Sequence, residues 1–355
     1  MYPRIIIDSK AIEHNVNTVR DMCSKAGVRV VGVTKGVCAS TEIVRAFLNA
    51  SVDVLADSRI QNIKLLTKEF PDTERWLLRP PSASQLEDVV RLCHVSFNSE
   101  EDTLFALNKT CEKLQCSHSV VLLIDMGDRR DGFADFNQLK AACQLVRALP
   151  RLRLAGIACN LTCLSFVKAT SEKLDEFARM AKRLRKYGKR GEPFIVSGGN
   201  SATLRLMLNE GLPDEITDLR LGESLLIGRE RDTYKYLPNT SADTFVIEAE
   251  VIEVKRKQSM PSGEINKNSY GTLPKFKDRG EETRVVLALG NQDCAPGVMQ
   301  PLDKSLRIVG DSCDHIVCAA TNETNIHVGD IVRLRCGYHA ILRAMNSTSV
   351  AKEFI

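Results

Sequence analysis

The chain has 355 residues, of which 43% are apolar and 26% charged, and its formal net charge is +4. These values are ordinary for a globular protein, and the interspersed basic and acidic residues predict no nucleic-acid partner. No apolar run approaches the length of a membrane-spanning helix, so no membrane partner is predicted. The N-terminus lacks the apolar core of a signal peptide, and the 12 cysteines form no CxxC pair. Together these features favour a cytoplasmic protein with reduced thiols and neither a disulfide framework nor a metal site.

Eight short apolar runs alternate with amphipathic segments in the first part of the chain. The segments between the runs carry apolar residues at spacings of three and four, which is the period of an α-helix. Eight β/α units predict an α/β fold, a (β/α)8 TIM barrel over residues 10–228. An open doubly wound sheet is the structural alternative, although no GxGxxG motif supports it. The runs lie at 28–35, 52–57, 75–80, 94–99, 119–127, 152–160, 193–200 and 218–224.

The pattern changes after residue 228. Runs such as "TFVIEAEVIEVKRK" and "TRVVLALGNQD" alternate or extend as strands, without long helices between them. We therefore predict a mainly β C-terminal domain made of residues 1–9 and 229–355, to which "RIIIDSK" contributes a strand. Residues 257–282 read as a long polar loop, and loops of this length often carry function.

The residues at the carboxyl ends of the predicted strands are unusually polar. In barrels of this kind those ends face the active site. Lys35 ends the first run, and the seventh runs into the glycine-rich turn "SGGNSAT". Such a turn favours an anion, and phosphate sites in barrels are often built after strands seven and eight. A lysine on a buried strand tip beside a phosphate site suits pyridoxal 5'-phosphate, although a structural ion pair with Asp57 or Asp125 is an equally open interpretation.

These motifs resemble the alanine racemase-like pyridoxal phosphate enzymes, and within them the ornithine/alanine racemase family. The resemblance implies a pyridoxal phosphate-dependent amino-acid racemase, active on ornithine or on another small or basic amino acid such as lysine or alanine. It also implies a homodimer whose active sites are shared across the interface. The motifs occur in order along nearly the whole chain, as "GVTKGVC", "DVLADSRIQNI", "NLTC", "SGGNSATL", "LRLGESLLIGRE", "GNQD" and "GDSCDH".

The same resemblance implies roles for individual residues. Lys35 becomes the Schiff-base lysine and one catalytic base, and Arg220 faces the pyridine nitrogen. Arg130 matches the arginine that holds the phenolic oxygen, and we count it with the substrate contacts. The remaining cofactor contacts are Asn160, Ser197, Asn200, Ser201, Gly222, Glu223 and Tyr338. The remaining substrate contacts are Cys313, Asp314 and Asp293.

Two departures from the family pattern affect the chemistry. Alanine racemases carry a tyrosine, the base on the opposite face, where this chain has Asn291, and a second tyrosine where it has Ala39. The second base is therefore open: Cys313 is the first choice, because thiolate is a competent base. The other candidates are Tyr270, Asp293 and His315.

Two other functions compete with racemisation. The first is a pyridoxal phosphate decarboxylase of the same fold, but those enzymes usually set a glutamate where this chain has Arg220. The second is a non-catalytic pyridoxal phosphate-binding protein, which resembles the barrel alone. For a basic substrate, Asp293, Glu264 and Asp128 are the candidate acceptors of the side-chain ammonium group.

Overall fold

The computed structural model describes residues 1–267, 271–321 and 324–355. They form two compact units, one of Ser9–Ala242 and one of Met1–Asp8 with Asp243–Ile355. The first strand, β1 (Arg4–Ile7), belongs to the second unit. Within the described ranges, no helix is long and apolar enough to cross a membrane.

The first unit is a closed barrel of eight parallel strands in chain order, which confirms the predicted fold class. Each strand overlaps one of the eight predicted runs. Both faces of these strands are buried, which is why they read as continuous apolar runs rather than alternating ones. The strands are β2 (Arg29–Val33), β3 (Val54–Asp57), β4 (Glu74–Leu77), β5 (Val95–Asn98), β6 (His118–Asp125), β7 (Leu152–Asn160), β8 (Ile195–Ser197) and β9 (Asp218–Leu221).

Helices pack around these strands and bury one apolar stripe each. Against β2 the packing is close, since a Cβ at Gly32 would lie 2.8 Å from a ring carbon of Phe47. Inside the barrel, Trp76 and Phe97 fill the core together with valines of several strands. The helices are α1 (Ser9–Lys25), α2 (Thr41–Asn49), α3 (Ile60–Glu69), α4 (Leu86–Leu92), α5 (Glu101–Lys113), α6 (Phe136–Ala148), α7 (Ser171–Leu184), α8 (Leu204–Glu210) and α9 (Glu223–Ile227).

Residues 229–242, which the sequence analysis assigned to the β domain, lie in the barrel unit. Hydrogen bonds explain the difference. Leu237 donates its N–H to the carbonyl of Gly228 at 2.7 Å, and the side chain of Asn15 in α1 donates to the carbonyl of Ser241 at 2.9 Å. This segment therefore folds back onto the barrel before the chain enters the second unit.

The second unit is built on an eight-stranded sheet with the order β12-β15-β10-β11-β14-β13, and β1 pairs with both β10 and β16. The long polar stretch overlaps the last two residues of β10 and the first two of β11, and its described residues between these strands, 259–267 and 271–280, contain no strand or helix. The elements are β10 (Phe245–Gln258), β11 (Glu281–Leu287), β12 (Met299–Pro301), β13 (Leu306–Asp311), β14 (Ile316–Ala320), β15 (Ile331–Cys336), α10 (Tyr338–Asn346) and β16 (Ala351–Phe354).

Candidate active site

Lys35 lies two residues beyond the end of β2, after Thr34, and begins a short 3-10 turn at the carboxyl end of the barrel. Its side chain is half-buried. Burial lowers the pKa of Lys35, and the positive charges of Arg130 and Arg220 lower it further, while Cys163 and Asp57 act in the opposite direction. A lysine in this setting gives up its proton more readily than an exposed one, which favours its use as a nucleophile or base.

Asp57, at the tip of β3, does not neutralise Lys35 directly. Its fully buried carboxylate accepts hydrogen bonds from the Thr34 hydroxyl at 2.7 Å, the Arg59 N–H at 2.9 Å and the Asn62 amide at 3.0 Å. Among the described residues, Lys35 forms no ion pair within 4.0 Å with any carboxylate. The structure therefore does not support the alternative that Lys35 is a member of a structural ion pair.

Arg220, in β9, is buried and held in one orientation. It donates from Nη2 to the carbonyl oxygen of Cys159 at 2.7 Å and from Nη1 to the hydroxyl of Ser197 at 2.5 Å. The Ser197 hydroxyl in turn donates to the buried carboxylate of Asp218. The guanidinium lies 5.3 Å from the ring centroid of Phe97. A fixed cation of this kind keeps any nitrogen it faces unprotonated.

The turn "SGGNSAT" follows β8 and meets the start of α9. The hydroxyls of Ser201 and Ser224 lie 3.1 Å apart, and the Ser224 N–H donates to Ser201 Oγ at 3.3 Å. Gly199 has a φ of +120°, and a Cβ there would lie 2.4 Å from the Thr203 hydroxyl. Only glycine fits this turn, which gathers two hydroxyls and backbone N–H groups suited to an anion. Gly222 precedes α9 directly.

Glu223 and Asn200, both predicted to contact the cofactor, already have protein partners. Glu223 is buried and forms an ion pair with Arg229 at 2.5 Å. Asn200 donates to Asn160 Oδ1 at 3.1 Å and to the Leu161 carbonyl at 2.8 Å. Both residues therefore brace the loops at the barrel end.

Three buried polar atoms at this end of the barrel have no hydrogen-bond partner in the described part of the chain. They are Nδ2 of Asn160, at the tip of β7, Oδ1 of Asn98, at the tip of β5, and Nε of Arg231. Arg231 is close to the glycine-rich turn, because its N–H donates to the Ser201 carbonyl at 3.3 Å. Buried polar groups are normally satisfied, so these atoms indicate a polar ligand.

Arg130 lies in the loop between β6 and α6. A Cβ at Gly132 would lie 2.4 Å from the backbone nitrogen of Asp125, so the loop wraps closely over the tip of β6. The side chain of Arg130 is 34% exposed; it forms an ion pair with Asp131 at 2.8 Å and donates from Nη1 to Sγ of Cys163 at 3.1 Å. Burial alone would lower the pKa of Arg130, but Asp131 and then Cys163 outweigh it and raise that pKa.

Sequence reasoning gave no role to Cys163, although the motif "NLTC" contains it. The structure shows its sulfur 3.1 Å from Nη1 of Arg130, and Cys163 raises the pKa of Lys35. Asp128 was a candidate acceptor of the substrate ammonium group, but its buried carboxylate accepts hydrogen bonds from the backbone N–H groups of Cys163, Leu164 and Val167. Asp128 thus shapes the loop after β7 and has little capacity left for a substrate ammonium group.

The β domain gathers a second group of predicted residues. The motif "GNQD" packs on "SCD", since a Cβ at Gly290 would lie 2.1 Å from the Cys313 carbonyl oxygen. Asn291 donates to Asp311 and accepts from Arg343 Nη1 at 3.2 Å. Asp314 accepts from Gln292 Nε2 at 2.5 Å.

The remaining candidates in this unit differ in exposure. Cys313 is exposed, whereas Asp293 is 8% exposed and accepts the Ser347 hydroxyl at 2.6 Å. Tyr338 is buried at the first position of α10, and His315 pairs with Ser312 across a turn. Glu264 is exposed. Tyr270 lies outside the described residues.

Comparisons with known proteins agree on one group of enzymes. A family model described as alanine racemase, N-terminal domain, matches residues 7–229. Ornithine racemase of Acetoanaerobium sticklandii is 38% identical over 356 aligned residues, which cover all of both chains. Lysine racemase of Thermotoga maritima is 32% identical and covers 100% of this chain and 99% of its own. In fold, the crystal structure of alanine racemase from Bartonella henselae with covalently bound pyridoxal phosphate matches 99% of each chain, with a TM-score of 0.74 and 18% identity.

Proposed function

The chain belongs to the alanine racemase family and is an amino-acid racemase, and we propose that it uses pyridoxal 5'-phosphate to racemise ornithine. The family resemblance read from the sequence motifs is confirmed by these matches. The observation that carries the proposal is Lys35: a half-buried lysine of lowered pKa at the end of β2, with Arg130 and Arg220 close enough to influence its charge.

The residues at the barrel end fit the cofactor. Ser201, Ser224 and the backbone of Gly222 would hold the phosphate, since the hydroxyls of Ser201 and Ser224 and the Ser224 N–H already converge, and Gly222 directly precedes α9. Arg220 would face the pyridine nitrogen, and the unpartnered amide nitrogen of Asn160 offers a donor to the ring. Lys35 would carry the covalent attachment. Each assignment uses a polar group that the protein has brought to this end of the barrel.

The chemistry divides between the cofactor and the protein. When bound, pyridoxal phosphate withdraws electrons and thereby acidifies the α-proton of an attached amino acid. Lys35 would take and return that proton on one face, and its lowered pKa favours the neutral amine that this requires. Arg220 would keep the pyridine nitrogen unprotonated, which limits side reactions at other carbons. Arg130 would bind and orient the amino-acid carboxylate through the N–H groups that Asp131 and Cys163 leave free.

A basic substrate is supported by the two curated relatives, whose names give ornithine and lysine. Its side-chain ammonium group needs an acceptor. Of the predicted substrate contacts, Asp293 and Asp314 remain the candidates for this role, because Asp128 uses its oxygens on backbone N–H groups. Lysine and alanine are the other candidate substrates.

The second base and the assembly form one proposal. Racemisation needs proton delivery on both faces of the α-carbon, and Lys35 serves only one. We propose a cytoplasmic homodimer in which Cys313 of the partner subunit serves the other face. The exposure of Cys313 supports this, because its thiol is accessible to a second chain.

Incubation of the holoenzyme with single L-amino acids in deuterium oxide tests the function. We expect α-proton exchange and formation of the D-enantiomer, fastest with ornithine, and neither with Lys35→Ala. Carbon dioxide release would instead indicate a decarboxylase, and the absence of exchange with every amino acid would indicate a binding protein. Faster turnover of alanine than of ornithine would contradict the substrate assignment alone.

A further inference from the structure

We infer that Cys163 is a positioning residue for racemisation: its sulfur accepts from Arg130 and fixes the orientation of that guanidinium at the end of the barrel where Lys35 also lies. The inference rests on the proposed function, since it concerns the two residues to which that function assigns the substrate carboxylate and the α-proton. Neither the motif pattern nor the family resemblance assigned a role to this cysteine.

The first step is the contact with Arg130. Asp131 binds the Nε and Nη2 side of the guanidinium at 2.8 and 3.2 Å, and Cys163 accepts from Nη1 at 3.1 Å. The guanidinium is therefore fixed from two sides by acceptors on different loops. Loss of the sulfur would leave it attached to Asp131 alone, and Asp131 is its immediate neighbour in sequence and moves with it.

The second step is the rigidity of the loop that carries the sulfur. The N–H of Cys163 donates to both oxygens of the buried Asp128 carboxylate, at 3.1 and 3.2 Å. The preceding residue, Thr162, is closed against Val167 by two hydrogen bonds, from its N–H at 2.9 Å and from its hydroxyl at 2.8 Å. The position of Sγ is thus set by the backbone, as a positioning role requires.

The third step is the link to Lys35. Cys163 raises the pKa of Lys35, against the lowering effects of burial and the two arginines. A substitution at Cys163 therefore has a readout at Lys35 that does not depend on turnover.

The effect on Lys35 has a readout that needs no turnover. The pH dependence of reductive methylation at Lys35, in the protein without cofactor, should move to lower pH in Cys163→Ala and stay unchanged in Cys116→Ala, because Cys163 raises the pKa of Lys35. An unshifted profile in Cys163→Ala would refute the link to Lys35 and overturn the inference.

Substrate kinetics test the contact with Arg130. In the holoenzyme, Cys163→Ala should raise KM, and Cys163→Ser should restore KM because its hydroxyl still accepts from Arg130. A serine variant that fails to restore KM would contradict the orienting role. If the wild-type protein racemises nothing, the proposed function fails, while the methylation profile of Lys35 still decides the inference about Cys163.

Discussion

Replacing Ser197 by alanine tests whether Arg220 owes its orientation to the buried bridge with Asp218. The hydroxyl of Ser197 accepts from Arg220 Nη1 at 2.5 Å and donates to Asp218, and all three side chains are buried. After the substitution, Nη1 keeps only a weak contact with the Ser197 carbonyl at 3.4 Å. Asp218 keeps the Thr217 hydroxyl at 2.8 Å.

The magnitude follows from the two bonds removed. Hydrogen bonds to charged groups contribute about 1.5–3 kcal/mol each, so the free energy of unfolding should fall by about 3–6 kcal/mol. Arg220 retains the Cys159 carbonyl at 2.7 Å and therefore stays in the site but loses its fixed direction. A small misplacement of such a group costs on the order of a hundredfold in rate, which is the loss of kcat expected here.

Urea unfolding of the protein without cofactor measures the first effect, and the racemase assay measures the second. Ser119→Ala is the matched control: it removes a half-buried hydroxyl of β6 that has no hydrogen bond among the described residues, and should change stability by under about 0.5 kcal/mol. If Ser197→Ala is as stable and as active as this control, the bridge does not hold Arg220. Loss of stability with full activity would show that the bridge serves folding alone.

Three further predictions concern Lys35, Arg220 and Cys313. Burial and then neighbouring cations lower the pKa of Lys35 in the folded protein, so its protonated form costs stability below that pKa. In urea unfolding without cofactor, Lys35→Met should therefore be more stable than wild type at pH 7. This difference in the free energy of unfolding should fade as the pH rises towards 10.5, the ordinary pKa of lysine. The control Lys109→Met, at an exposed lysine, should show no such pH dependence. A stability difference between Lys35→Met and wild type that stays constant with pH would contradict the lowered pKa of Lys35. Arg220→Glu should lower kcat by at least about a hundredfold, or ~2.7 kcal/mol, and raise keto-acid formation by transamination, and an unchanged product ratio would make the arginine structural. Cys313→Ala should abolish racemisation but retain α-proton exchange from one enantiomer, and mixing it with Lys35→Ala should restore activity; full activity in Cys313→Ala would exclude that base.

The barrel could be predicted because its strands carry their own signal. Runs such as "VRVVGV" are apolar on both faces, which only a strand covered on both sides requires. The ends of the runs were less predictable. β8 ends at Ser197 rather than at residue 200, because Gly199 turns the chain with a φ of +120°. Polar residues at the strand ends belong to loops rather than to the sheet. Their polarity identifies the site in the sequence, but it does not show at which residue each strand ends.

The partners of the site residues could not be predicted from the sequence. Asp128 binds the N–H groups of a loop that begins 35 residues further on, and this pairing depends on the register that sets Asp125 opposite Asn160 in β6 and β7. Nothing in a single sequence specifies that register. For the same reason the cysteine of "NLTC" carried no visible signal, whereas Lys35 did, because its position after a buried strand is readable locally.

Asn291 shows how the missing tyrosine changes the problem of the second base. Its amide is committed to Asp311 and Arg343, so it can neither take a proton nor readily yield its place. Asp314 already accepts from Gln292, and Asp293 from Ser347. Cys313 differs from these neighbours, because its side chain has no hydrogen bond among the described residues. Its backbone carbonyl accepts from the Gln292 N–H. A proton-transfer group must exchange hydrogen-bond partners during turnover. A thiol without a hydrogen bond does this at lower free-energy cost than a carboxylate that must first break one. Cys313 therefore remains the first candidate for the second base.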